Sequence, residues 1–111
     1  MKWLLNKIAK MRATAAWREY RVEHIFELEL LKLLRNRAKE NLDILTTQKN
    51  ECVIRNRKEY NGLPLSKIHT RIMDLTEYIE SVEFDIKSHE LIGETMKKKI
   101  FEQYGVTNEL A

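Results

Sequence analysis

Apolar side chains recur every three or four residues from position 65 to position 100: Leu65, Ile68, Ile72, Leu75, Ile79, Val82 and Ile86, then His89, Gly93, Met96 and Ile100. That spacing keeps them on one helical face. The unbroken aliphatic run at its start predicts a long helix with coiled-coil packing. Upstream, Leu28, Leu31, Ala38, Leu42, Leu45 and Cys52 make a rougher matching row, with polar Arg35 and Lys49 in its gaps. Strand-like alternation is absent and strong helix formers dominate. Between the two rows stands Asn61-Gly62-Leu63-Pro64. Gly62 suits the left-handed position after a helix end, Pro64 can open the next helix, and Ser66 offers an alternative N-cap. The reading is all-α: a long antiparallel helical hairpin, coiled-coil-like. Its first helix is expected over 1–61, its turn over 62–65, its second helix over 66–104 and a frayed tail over 105–111. Gly93 interrupts the second seam, where it either admits a large side chain from the facing helix or marks a kink.

Two apolar groups exceed what one partner helix covers. Ile25, Phe26, Leu28, Leu30, Leu31, Leu33 and Leu34 form a broad arc. The second helix is expected to reach back only to residues 20–24, so residues 1–19 overhang, with Trp3, Leu4, Leu5, Ile8, Met11 and Trp17 among them. Such residues need a contact surface. Trp3, Leu4, Ile8, Met11, Trp17, Ile25, Phe26, Leu30 and Leu33 are therefore assigned to a partner interface, with a second copy of the chain or another protein. Folding of residues 1–19 back over the arc would instead give a three-helix bundle. The face formed by Trp3, Leu4, Ile8, Met11 and Ala15, with lysines elsewhere, also has the character of an interfacial membrane helix, a weaker alternative.

Charge supports the antiparallel pairing. Residues 1–24 carry six basic and two acidic side chains, residues 25–62 eight and six, and residues 63–111 six and nine. Folding back at Gly62 sets the acidic side chains of the second helix against Lys32, Arg35, Arg37, Lys39 and Lys49. At 111 residues, with three glycines, one proline and a net charge of +3, the chain has room for one helical unit. No run approaches the ~20 apolar residues that span a bilayer. The opening residues do not read as a secretion signal, since Asn6, Lys7 and Lys10 cut the apolar run. The lone Cys52 excludes an intrachain disulfide and suits a reducing compartment, the cytoplasm.

Catalytic chemistry finds little support. His24, His69 and His89 belong to no metal-binding or nucleophilic pattern, and the glycines form no phosphate-cradling loop. The expectation is a non-enzymatic protein without cofactor, metal or small-molecule substrate. Basic residues are better candidates: Lys49, Arg55, Arg57, Lys58, Lys67 and Arg71 gather near the turn with Tyr60, which could stack on a base. The stretch from Gln48-Lys49 to Tyr60-Asn61-Gly62 resembles the basic helix of the phage recombination mediators, small helical proteins. That resemblance implies oligomerisation and single-stranded DNA binding through Lys49, Arg55, Arg57 and Lys58. The Lys97-Lys98-Lys99 run is explained by its place near a helix C-terminus. The leading expectation is a small helical interaction or adaptor protein. Nucleic-acid binding, to single-stranded DNA or RNA, is the alternative.

Overall fold

The computed structural model describes residues 2–106 of the chain. Helix α1 runs over Lys2–Ile54, two-residue strands β1 and β2 follow at Glu59–Tyr60 and Leu63–Pro64, and helix α2 spans Leu65–Gln103. The helices form an antiparallel hairpin. Helix α1 is unbroken, so the N-terminal segment does not fold back as a third helix. The threonines that could have interrupted it are absorbed: Thr14 Oγ1 donates to the Lys10 carbonyl at 2.8 Å and Thr47 Oγ1 to the Asp43 carbonyl at 2.9 Å.

The end of α1 differs from the sequence expectation. The helix stops at Ile54, not at 61, and Asn56 is the residue that stops it, with φ 49°. The Asn56 N–H donates to the Val53 carbonyl at 3.2 Å and the Arg57 N–H to the Cys52 carbonyl at 2.8 Å. Those are the two bonds of a Schellman cap, with asparagine in the left-handed position usually held by glycine. Asn61-Gly62 then serves another purpose. Tyr60 pairs with Leu63 and Glu59 with Pro64 in an antiparallel clip, and both loop residues have positive φ, 46° and 83°. This is the two-residue primed turn that Asn-Gly favours. The Leu65 N–H donates to the Lys58 carbonyl at 2.8 Å, which leads the clip directly into α2.

The chain divides into two compact units. In the unit Leu31–Asp85, the predicted seams meet: Ala38, Cys52, Ile68, Ile79 and Val82 are buried. Ile68 is fully enclosed, and burying such a side chain contributes about 1.5–3 kcal/mol. Lys39 Nζ and Glu83 Oε1 stand 3.0 Å apart, both largely exposed, so this cross-helix pair contributes about 0–1 kcal/mol.

The other unit joins the residues up to Leu30 with those from Ile86 on. Ala13, His24, Ile86, Gly93 and Val106 are its buried positions. The overhang is thus shorter than expected. An earlier end to α1 shifts the register, and α2 reaches past residues 20–24: Ala13 is enclosed and Trp17 is half-buried. Helix α2 closes in a second Schellman cap, with Gly105 at φ 76° and the Val106 N–H donating to the Phe101 carbonyl at 2.9 Å. Val106 is buried there, so the frayed tail does not begin at 105; the remainder of that expected tail, 107–111, lies outside the described residues.

Candidate functional site

Helix α1 has two apolar faces in the unit that holds the chain ends. The inner one comprises Ala13, Trp17, Tyr20, His24 and Leu28, all buried or half-buried. Helical spacing puts Leu4, Ile8, Met11, Ala15, Val22, Phe26 and Leu30 on the opposite side, and all seven are exposed. Met11 is 66% exposed, Val22 69% and Phe26 72%. Leu5 and Ile25 are exposed beside this stripe, Trp3 is exposed on the inner side of α1 in line with Trp17, and Leu33 is exposed on α1 in the other unit. Of the residues assigned to a partner interface, Trp3 and Trp17 lie on the inner side of α1, and of these two Trp17 is half-buried. Its ring lies 5.8 Å from that of Tyr20, and Lys97 Nζ stands 5.9 Å from its centroid. Val22, absent from that assignment, belongs to the stripe; its spacing of seven from Ala15 and four from Phe26 was the signal available.

The stripe is polarised. Residues 2–18 carry five basic side chains, Lys2, Lys7, Lys10, Arg12 and Arg18, and no acidic one. Residues 19–30 carry four acidic side chains, Glu19, Glu23, Glu27 and Glu29, and only Arg21 against them.

The histidines of this unit form a structural layer beneath the stripe. His24 and His89 stack at 4.2 Å with 8° between their planes, and Tyr20 stacks on His24 at 5.6 Å. His89 Nε2 faces the His24 carbonyl at 3.2 Å and Glu27 Oε2 at 3.3 Å. Both partners are acceptors, so Nε2 carries the hydrogen and donates. His24 lies against Gly93, where an added Cβ would overlap Nε2 and stand 2.8 Å from Cε1. Gly93 thus admits a large side chain from the facing helix. Burial pushes the His24 pKa below the ordinary histidine value, helped by His89 and opposed by Glu27. No group of three or more metal-ligating side chains occurs among the described residues.

The basic residues near the turn stand in different local settings. Arg55, Arg57 and Tyr60 line a cavity of about 190 Å³ together with Glu51, Cys52, Glu59 and Asn61, so two carboxylates share it. Arg55 Nη2 pairs with Glu51 Oε1 at 3.4 Å. Lys49 Nζ donates to His69 Nδ1 at 3.2 Å, while Arg71 lines a separate concavity with Asn41, Ile44, Leu45 and Leu75. Lys58 and Lys67 are exposed. Since α1 ends at Ile54, Arg55, Arg57 and Lys58 lie in the connection and not on a basic helix, so the resemblance to the recombination mediators fails in its helical form. No helix among the described residues is long and apolar enough to cross a membrane. No protein family, curated protein or solved structure matches the chain.

Proposed function

We propose that this chain is a non-enzymatic helical interaction protein, an adaptor or accessory factor whose working surface is the outward face of α1. One observation carries the reading: a stripe of large apolar side chains, Leu4 through Leu30, exposed on the side of α1 turned away from α2. An apolar face of this kind, interrupted at Arg18 and Glu19, marks a protein contact more often than a solvated surface. A buried free Cys52 suits action in a reducing compartment, the cytoplasm.

The test replaces the stripe without touching either seam. Val22→Glu with Phe26→Glu alters two side chains that are about 70% exposed, so helical circular dichroism should stay at the parent level. The variant should lose association seen with the parent, measured as mass by light scattering and as partners retained on the immobilised chain. Equal mass and an equal set of retained partners for parent and variant would refute the reading. Retention of the parent on single-stranded DNA at about 50 mM salt, steeply weakened at 200 mM and unaffected in the variant, would favour the nucleic-acid alternative instead.

A further inference from the structure

We propose that the occupant of the outward face of α1 is a second copy of the same face, docked antiparallel about a two-fold axis between Arg18 and Glu19. The inference rests on the interaction reading above and adds the partner and its register. Three features of residues 4–30 carry it.

The first is the spacing. Leu4, Ile8, Met11, Ala15, Glu19, Val22, Phe26 and Leu30 follow one another at intervals of four, three, four, four, three, four and four. That is an eleven-residue repeat, whose drift around the helix is opposite in hand to that of heptads and winds a pair of helices gently to the right. Two such stripes can lie side by side over their whole length.

The second is self-complementarity. An isologous interface brings residue i of one copy to residue j of the other, and j to i. With the axis between Arg18 and Glu19, Met11 meets Phe26, Ala15 meets Val22 and Ile8 falls beside Leu30. Met11, Val22 and Phe26 thereby face apolar partners, Ile8 and Leu30 stand one position out of register with each other, and the small Ala15 lets the helices approach near the axis. The polar step at Arg18 and Glu19 falls on the axis itself, where polar residues can fix register.

The third is charge. An antiparallel arrangement sets the purely basic stretch 2–18 of each copy against the mainly acidic stretch 19–30 of the other; a parallel one superposes like on like. Arg12 and Glu23, both exposed, flank the stripe on the same side and come within two positions of each other across the two copies, about 3 Å along the axis and within reach of these long side chains. In a parallel pair they would be separated by three helical turns.

Light scattering and sedimentation across a salt series test the proposal on the full chain. The parent should be a dimer. Arg12→Glu, which sets like charges in the paired position twice, should raise the dissociation constant about tenfold, and the double variant Arg12→Glu, Glu23→Arg should return it to within about threefold of the parent. All these side chains are exposed, and unchanged circular dichroism separates the effect from misfolding. A dimer insensitive to the single reversal overturns the antiparallel register. A parent that stays monomeric overturns the second copy as occupant, while the interaction reading falls separately, only if the Val22→Glu, Phe26→Glu variant also retains the same partners as the parent.

Discussion

At Gly93, replacing glycine by alanine should weaken a helix that the same change ordinarily strengthens. Elsewhere in a helix the substitution gains about 1 kcal/mol. Here the new methyl meets the His24 ring, which cannot retreat because Tyr20 and His89 stack on it. Overpacking of this kind costs about 1–3 kcal/mol. Gly93→Ala should lower the melting temperature, and combining it with His24→Ala should remove the clash, giving a non-additive cycle in thermal unfolding. His24 also sets a pH dependence. Its native pKa is depressed by burial, so the unfolded chain takes the proton first. The stability it permits is complete above the ordinary histidine value of about 6.5 and is lost as pH falls below that towards the native value. Thermal unfolding should therefore occur at lower temperature at pH 5.5 than at pH 7.5. His24→Phe, which keeps the ring and loses the titration, should shrink that difference. The sequence made Gly93 conspicuous as a gap in an apolar seam. It could not name His24 as the side chain that fills the gap, because facing partners depend on register, and register depends on where α1 stops.

The elements were unevenly legible, for a physical reason. The seam of α2 is regular from Leu65 to Ile86, and periodicity alone was enough to place Ile68, Ile79 and Val82 in the core. Ile68→Ala should cost about 2–5 kcal/mol in denaturant unfolding. Ile79→Asp, which puts a charge into the same seam, should abolish the cooperative transition. The end of α1 was hidden because no glycine or proline marks it. Asn56 reaches the left-handed region by virtue of its short polar side chain, inside a run of charged residues that reads as helix. Asn61-Gly62, taken for the helix end, is the turn of the β1–β2 clip. Gly62→Ala places a side chain at φ 83° and should destabilise by about 1 kcal/mol or more. Asn56→Gly, by contrast, should leave the melting temperature unchanged or raise it, since glycine suits that cap position better. The opposite signs of these two changes separate the cap from the turn.

For the molecule as a whole, charge and apolar surface suggest different partners. Of the basic residues near the turn, Arg55 and Arg57 share a cavity with Glu51 and Glu59, whereas the α1 stripe from Leu4 to Leu30 is exposed. Replacing Arg55, Arg57 and Lys58 together by alanine should leave the mass in solution unchanged, and change stability by less than about 1 kcal/mol, measured by light scattering and by chemical unfolding. The apolar excess at 25–34 and the exposed N-terminal segment were readable as separate features of the sequence. Their union into one face was obscured because Arg18 and Glu19 interrupt it, and because Trp17, the largest side chain nearby, belongs to the opposite side of the helix.

The clip at β1 and β2 also sets an order in time. It sits near the middle of the chain and joins residues that are close in sequence, Tyr60 with Leu63, whereas His24 and Gly93 approach from distant parts of the chain. Bringing such distant residues together first would meet the full entropy of closing a long loop; layering outward from Asn61-Gly62 adds each contact over a short remaining span. Folding should thus proceed as a zipper that starts at the clip. In stopped-flow kinetics, Gly62→Ala should act mainly by slowing refolding, and Gly93→Ala mainly by speeding unfolding, even though both lower the same equilibrium stability.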